Sequence, residues 1–156
     1  MNNNKKVLFV YGSLKKGFYN NDILGNFKLL SREATSVEYY KMYPCMEYLF
    51  PYLFISDAYS GGKRIVGNLY EVDDAFLNET LDMFEGVPSG RYERHSVEVI
   101  LKDEIIVEAQ MYISNNGLLE SDEVDIIPEP LNIWSKEYEQ IGLRTNAYIE
   151  SNLERQ

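Results

Sequence analysis

The chain has 156 residues, of which 45% are hydrophobic and 13% aromatic, and its formal net charge is -10. This length and apolar content suit one folded domain over residues 1–156 and exclude a chain that is disordered throughout. The acidic charge argues against a general nucleic-acid binder, and one cysteine with one histidine excludes an intrachain disulfide and a zinc site built mainly from Cys and His.

The N-terminal segment predicts a buried strand and no targeting sequence. The start MNNNKK is polar and lacks the apolar core of a signal peptide, and no stretch approaches the ~20 apolar residues of a membrane span. We therefore expect a cytoplasmic protein without a membrane partner. The run KVLFVY from Lys6 to Tyr11 is continuously apolar after its lysine, which is typical of a central strand buried on both faces.

The next part of the chain predicts further strands separated by turns. Residues Asp22–Leu30 allow a brief helix or an irregular turn. Aromatic and β-branched residues predict strands at Ser36–Tyr43 and Tyr52–Tyr59, with Pro44 and Pro51 outside them.

A hairpin and a helix are predicted next. Gly61–Arg64 favours a hairpin turn that returns in a strand at Ile65–Val72, where Gly67 indicates a bulge or a close backbone approach. Helical spacing of apolar residues then predicts a helix that begins at Asp73 or Asp74 and ends at Glu85-Gly86, with the glycine in a left-handed cap.

The C-terminal half predicts a second hairpin and a last helix. Strands are expected at Tyr92–Leu101 and Ile105–Ile113, joined by the short KDE turn. An acidic loop at Ser114–Pro130 follows, and then a helix from Trp134 to Leu153. Two hairpins and few helices predict a mixed or antiparallel sheet that can close as a barrel.

The strand exit formed by Tyr11, Gly12, Ser13 and Leu14 is the first candidate site. A strand that stops at glycine and turns sharply exposes successive backbone N–H groups, which form a concave receptor for an anion or a carboxylate. The alternative is an ordinary strand-to-loop turn, because the segment lacks the spacing of a Walker loop and of a nucleophile elbow.

Glu85 is the second candidate, because it lies at the predicted helix end between Phe84 and Gly86. A helix C-terminus carries partial negative charge and apolar neighbours desolvate a carboxylate, and both effects raise its pKa. A carboxylate tuned in that way is a general base near neutral pH. The alternative is a solvated glutamate at a helix end.

Other polar residues have ordinary structural explanations. His95, the single imidazole, suits a core edge or a surface as well as a catalytic role. Three arginines could bind a substrate carboxylate, but in an acidic protein we expect them to pair with Asp or Glu: Arg64, Arg91 and Arg94. Four acidic residues lack the spacing of an EF-hand, so we expect a solvated loop and no metal: Glu120, Asp122, Glu123 and Asp125.

The chain resembles the γ-glutamylcyclotransferase-like superfamily, and within it the γ-glutamylamine cyclotransferase or AIG2-like branch. Three segments in order carry the resemblance, which spans Lys6–Ile113: FVYGSLKKG, GNLYEVD and LDMFEGVPSGRYER. The resemblance implies an α+β fold, a small mixed β-barrel with flanking helices. It also implies an enzyme that cyclises a γ-glutamyl group to 5-oxoproline and releases the attached amine.

The resemblance implies site residues as well. The loop from Tyr11 to Leu14 would hold the α-carboxylate and α-amino end of the glutamyl unit, Glu85 would be the catalytic glutamate, and Tyr92 would help to close the pocket. Glu85 would take a proton from the substrate's α-amine, which then attacks the γ-carbonyl, so the reaction requires no cofactor, metal or enzyme nucleophile. A small γ-glutamyl molecule is the one partner expected.

Two departures from the family pattern concern the substrate. The loop has the sequence YGSL where glutathione-pathway enzymes have YGSNL, which favours γ-glutamyl-amines such as γ-glutamyl-ε-lysine over γ-glutamyl amino acids. The acidic segment with Trp134 could lie over the mouth of the site. The alternatives are a γ-glutamyl-acyl cyclotransferase in a biosynthetic pathway and a non-catalytic AIG2-like binding module.

Overall fold

The computed structural model describes residues 4–144, and its main sheet has five strands. These are β1 (Lys5–Val10), β2 (Lys28–Ser36), β5 (Val66–Asp73), β6 (Tyr92–Leu101) and β7 (Ile106–Ser114). They form a closed barrel in the order β1-β5-β2-β6-β7, antiparallel except where β1 meets β7 in parallel. The expected mixed β-barrel is confirmed, and so is the β6–β7 hairpin.

Two further strands form a separate sheet. β3 (Tyr40–Pro44) pairs antiparallel with β4 (Pro51–Ile55). The predicted hairpin around Gly61–Arg64 is therefore wrong, because β4 pairs with β3 while β5 pairs with β1 and β2. The prolines were expected outside the strands, but Pro44 and Pro51 are the last pair before the loop that connects the two strands, where few ladder hydrogen bonds are lost.

The brief helix or irregular turn expected at Asp22–Leu30 is confirmed in its first part, but its last three residues belong to strand β2. A 3-10 helix occupies Asn21–Leu24, and the chain is already in a strand at Lys28. The pairing of β2 with β5 shifts register twice, between Leu29 and Ser31 and again before Ala34. These irregularities break the alternation of apolar and polar residues on which strand prediction depends.

The helix before β6, named α1, spans residues 74–84. It consists of an α turn at Asp74–Phe76, a π turn at Leu77–Leu81 and an α turn at Asp82–Phe84. Leu77 and Leu81 are fully buried, as the spacing predicted. Gly86 follows with a φ of 76°, so the left-handed cap is confirmed.

The C-terminal part contains a 3-10 helix at Asn116–Glu120 and a helix, α2, at residues 136–144. The predicted helix began at Trp134, which instead precedes α2, and its expected continuation to Leu153 lies outside the described residues. Trp134 is fully buried, stacks on Tyr138 and does not line the pocket described below. The expectation that it covers the site mouth is wrong.

The core lies on both sides of β1, which explains the apolar run there. Leu8 and Val10 join one cluster of buried side chains, whereas Phe9 joins the other. A Cβ added at Gly67 of β5 would lie 2.3 Å from the Val10 carbonyl oxygen. The predicted close backbone approach at this glycine is therefore confirmed. No helix within residues 4–144 is long and apolar enough to cross a membrane.

Candidate active site

A cavity of about 320 Å³ opens where β1 ends. Its walls come from the loop after β1, the end of α1, the start of β6, the loop before β4 and one residue of β7. All six residues predicted for the site lie on these walls: Tyr11, Gly12, Ser13, Leu14, Glu85 and Tyr92. The structure thus brings together segments separated by more than 70 positions of the sequence.

The loop after β1 is packed tightly against the β4 side of the cavity. A Cβ at Gly12 would lie 2.7 Å from Cδ of Pro51, so glycine allows the close approach of these two walls. Ser13 is buried, and its hydroxyl accepts a hydrogen bond of 3.0 Å from the Asn20 side chain. Leu14 is buried in the core.

The backbone N–H groups of this loop indicate what kind of ligand group it can bind. The N–H of Lys15 donates to the Gly12 carbonyl at 3.1 Å, which closes a turn. The N–H groups of Gly12, Ser13 and Leu14 have no acceptor among residues 4–144. A row of free N–H donors beside a cavity is suited to bind an anionic group.

Glu85 lies at the end of α1, where its N–H still donates to the Leu81 carbonyl at 2.8 Å. Its carboxylate lines the cavity and has no hydrogen-bond or ion-pair partner in the part of the chain that the structure describes. Burial raises its pKa to about 7. Near neutral pH such a group can therefore both accept and return a proton.

Three buried tyrosines line the cavity with Glu85, but their hydroxyl groups donate hydrogen bonds to other residues. Tyr11 donates to the Tyr112 carbonyl at 2.5 Å, Tyr92 to the Pro51 carbonyl at 2.9 Å, and Tyr112 to Asp82 at 2.6 Å. Burial raises the pKa of all three, and the negative charge of Glu85 raises each further. They remain neutral donors, which leaves the carboxylate free for a ligand.

Tyr112 and Asn20 were not predicted from the sequence. Tyr112 reaches the cavity because β7 pairs with β6, which places it opposite Arg94. The predicted β6–β7 hairpin was a signal that could have brought Tyr112 into consideration, because it sets which β7 residues lie opposite β6. Asn20 follows the loop and bonds Ser13, but no sequence pattern identifies such a contact.

Most of the other candidate residues lie away from this cavity. His95 contacts Glu93 at 3.1 Å, Arg94 pairs with Asp82 at 3.1 Å, and Arg64 lies over the ring of Tyr39. Arg91 does line the cavity and reaches Glu123 at 3.6 Å. Among residues 4–144, no group of three or more His, Cys, Asp or Glu is arranged to hold a metal ion.

Comparisons with known proteins identify the family of this chain and agree with its fold. The model of the family described as "Gamma-glutamyl cyclotransferase, AIG2-like" matches residues 8–136. A protein of Methanocaldococcus jannaschii to which a gamma-glutamylcyclotransferase activity is attributed is 39% identical over 108 residues, 69% of this chain and 82% of that protein.

Two further comparisons concern an amine-type relative and a solved structure. Gamma-glutamylaminecyclotransferase C of Danio rerio is 37% identical over 100 residues, which cover 61% of this chain and 63% of that protein. The crystal structure of an AIG2-like protein from Mus musculus superposes with a TM-score of 0.64 at 23% identity, covering 86% of this chain and 98% of that one. This structural similarity shows that the two proteins share a fold.

Proposed function

Since the chain belongs to the AIG2-like gamma-glutamyl cyclotransferase family, we propose that it is a γ-glutamylamine cyclotransferase with Glu85 as its general base and acid. It cyclises a γ-glutamyl group to 5-oxoproline and releases the free amine. The observation that carries the proposal is the unpaired carboxylate of Glu85 in the same cavity as the free N–H groups of the loop from Gly12 to Leu14. The similarity to the Danio rerio protein supports an amine-type substrate.

The proposed reaction begins with a proton transfer to Glu85. The substrate's α-amine is protonated at neutral pH and cannot attack until it loses a proton, which a carboxylate with a pKa of about 7 can accept. The freed amine attacks the γ-carbonyl carbon and forms the C–N bond of a five-membered ring. The C–N bond to the leaving amine then breaks.

The protons balance without any further group. The attacking nitrogen loses two protons between ammonium and lactam, and the departing nitrogen gains two between amide and ammonium. Glu85 relays them and is ionised again at the end of the cycle. Because attack is intramolecular, binding the glutamyl chain in a folded shape supplies much of the acceleration.

The loop after β1 is proposed to bind the charged end of the glutamyl unit. Free N–H groups of Gly12, Ser13 and Leu14 suit the α-carboxylate, and Glu85, which lines the same cavity, suits the α-amine. Tyr11 and Tyr92 are proposed to line the bound glutamyl chain. Their hydroxyls hold backbone carbonyls, so they shape the pocket and take no part in proton transfer.

The proposal is tested by incubating the protein with γ-glutamyl-ε-lysine and measuring 5-oxoproline and lysine by mass spectrometry. Wild type should release both products in equal amounts, and Glu85→Gln should lose at least about a hundredfold of the rate, as expected for a general base. Glu79→Gln is the matched control, because Glu79 is exposed on the same helix.

Three outcomes separate the alternatives. Binding of the substrate without release of 5-oxoproline would favour a binding module. Turnover of a different γ-glutamyl conjugate alone would favour the biosynthetic acyl cyclotransferase. Full activity of Glu85→Gln would show that the base lies elsewhere.

A further inference from the structure

A second cavity, of about 340 Å³, lies between the two sheets and takes no part in the proposed reaction. Its walls come from the segment that enters β3, the end of β4 and the β6–β7 hairpin. It shares no lining residue with the cavity that holds Glu85. A cavity of this size can accommodate a small molecule, so we considered which ligand its walls suit.

Three carboxylates line the second cavity: Glu38, Glu98 and Glu108. None of them forms an ion pair within residues 4–144. His95 is the one basic residue among the described residues of these walls, and its ring contacts Glu93 at 3.1 Å. Arg64 lies over the ring of the wall residue Tyr39 but pairs with none of the three carboxylates. The cavity therefore combines several negative charges with no described counter-charge.

Two of these carboxylates are placed so that they repel each other. Glu98 of β6 lies directly opposite Glu108 of β7. The Glu98 carbonyl accepts from the Val37 N–H at 3.1 Å, so the backbone groups of Glu98 point away from β7 and the glutamates form a non-hydrogen-bonded pair. Side chains are closest in such pairs, and like charges placed there are destabilising. A bound cation would remove this repulsion.

The hydroxyl group of Tyr40 is a second, independent feature that indicates a ligand. Tyr40 is 3% exposed and lines the cavity, but its hydroxyl has no hydrogen-bond partner in the described part of the chain. Within residues 4–144, Trp134 Nε1 is the one fully enclosed side-chain polar atom without a partner, so the Tyr40 hydroxyl opens to the cavity. Burial, together with the negative charge of Glu38, raises the pKa of Tyr40 to about 12. A neutral hydroxyl oxygen close to a carboxylate can accept a hydrogen bond from an ammonium group.

The arrangement suits an organic cation better than a metal ion. No three His, Cys, Asp or Glu side chains among residues 4–144 are arranged to hold a metal ion, so these carboxylates are too far apart for one. The other walls are largely apolar or aromatic, and they include Tyr39, Ile55, Val97 and Ile113. A methylene chain packs on such walls, and an aromatic ring face attracts an ammonium group.

We propose that the second cavity binds an aliphatic diamine, with its ammonium groups at the carboxylates of Glu38, Glu98 and Glu108 and its methylene chain against the apolar walls. Tyr40 accepts a hydrogen bond from one of the ammonium groups. The inference does not rest on the proposed function, because it concerns a different cavity and requires no turnover. It adds a binding site and a ligand class to the molecule.

His95 provides a local reporter for the test, because it is the single histidine of the chain and lines this cavity. Untagged protein is titrated with putrescine and with cadaverine at constant pH and ionic strength, and the imidazole proton signals are followed by NMR. At least one diamine should shift these signals saturably. The diols of the same chain lengths, which carry no charge, should not. Absence of a saturable shift, or equal affinity for diamine and diol, overturns the inference.

Variants assign the binding to the proposed residues. Glu98→Gln and Glu38→Gln should each weaken diamine binding by about three- to fivefold, and Tyr40→Phe by about two- to fivefold. Glu79→Gln is the matched control, because it removes the same charge from an exposed position outside the cavity and should keep the wild-type affinity. If Glu79→Gln weakened binding as much as Glu98→Gln does, the diamine would respond to net charge alone, and the inference would be wrong.

Two further measurements separate this site from the Glu85 cavity and from a loss of folding. Glu85→Gln should bind the diamine as wild type does, whereas loss of binding in Glu85→Gln but not in Glu98→Gln would place the diamine in the Glu85 cavity and overturn the inference. Glu98→Gln should unfold at the same or a higher urea concentration than wild type, because it removes the repulsion with Glu108. If it were less stable, Glu38→Gln provides the same binding comparison outside the strands.

Discussion

The Tyr11 hydroxyl donates a hydrogen bond of 2.5 Å to the backbone carbonyl of Tyr112, across the parallel contact that closes the barrel. The Tyr112 hydroxyl in turn donates to Asp82 of α1 at 2.6 Å. These two contacts link the loop after β1 to the helix that ends at Glu85. One buried and one partly buried hydrogen bond thus connect the candidate anion receptor to the helix that carries the candidate base.

Tyr11→Phe should lower the free energy of unfolding by about 1–3 kcal/mol, because it removes the donor from a buried carbonyl group. Urea denaturation followed by fluorescence measures the change. Tyr19→Phe is the control: Tyr19 lines the same cavity but is 59% exposed, and its hydroxyl has no partner within residues 4–144. Equal stability of the two variants would contradict this assignment.

The parts of the fold that were predicted correctly depend on local pattern. The first strand is apolar from Val7 to Val10 because Leu8 and Phe9 enter different clusters on its two sides. The helix end was found because Gly86 adopts a left-handed conformation that the residue type suits. The six predicted site residues also came from two short segments and lie around one cavity, although their roles stay predictions.

The parts that were missed depend on tertiary partners. Two strands next to each other in sequence were expected to pair, but Tyr52 faces Tyr43 in β3 and not a residue of β5. The choice between those pairings rests on long-range packing and not on the turn residues at Gly61–Arg64. Arg91 was weighed only as one of three arginines, since nothing in its immediate sequence places it at a cavity.

Activity should rise with pH through the pKa of Glu85. The base must be ionised, and burial raises its pKa to about 7, so kcat/KM should increase about tenfold between pH 6 and pH 8. An ordinary glutamate would be ionised throughout that range. Initial rates of 5-oxoproline release at low substrate concentration measure the profile, and a flat profile would contradict a raised pKa.

Glu85→Gln should make the protein more stable at alkaline pH. The folded state holds the proton of Glu85 up to about pH 7, whereas an unfolded glutamate releases it near its ordinary pKa of 4.5. Between these values the folded state binds more protons, so wild type loses stability as pH rises, by on the order of 2–3 kcal/mol at completion. Glutamine does not titrate and avoids this loss.

Denaturation of wild type and Glu85→Gln at pH 5 and pH 8 measures the difference. The advantage of the variant should be larger at pH 8, and Glu79→Gln should show no such dependence because Glu79 is exposed. An advantage that is equal at both pH values would mean that Glu85 is not desolvated. Loss of activity together with a gain of stability is typical of a residue retained for function.

Glu139 of α2 should affect the site although it does not line the cavity. Its carboxylate is buried, accepts the Tyr19 N–H at 2.8 Å and pairs with Lys136 at 3.2 Å. Tyr19 precedes Asn20, which bonds the Ser13 hydroxyl, so Glu139 supports the loop after β1 from outside. We infer that it is a positioning residue for the proposed glutamyl-binding loop.

Glu139→Ala should therefore raise KM for γ-glutamyl-ε-lysine by about three- to tenfold with a smaller change in kcat, and lower the free energy of unfolding by about 1–3 kcal/mol. Glu139→Gln keeps an acceptor for the Tyr19 N–H and should recover most of the KM effect. Glu137→Ala, an exposed change on the same helix, is the control. If Glu139→Ala lost stability but kept the wild-type KM, Glu139 would be a structural residue alone, and the link from α2 to the loop would have no bearing on substrate binding.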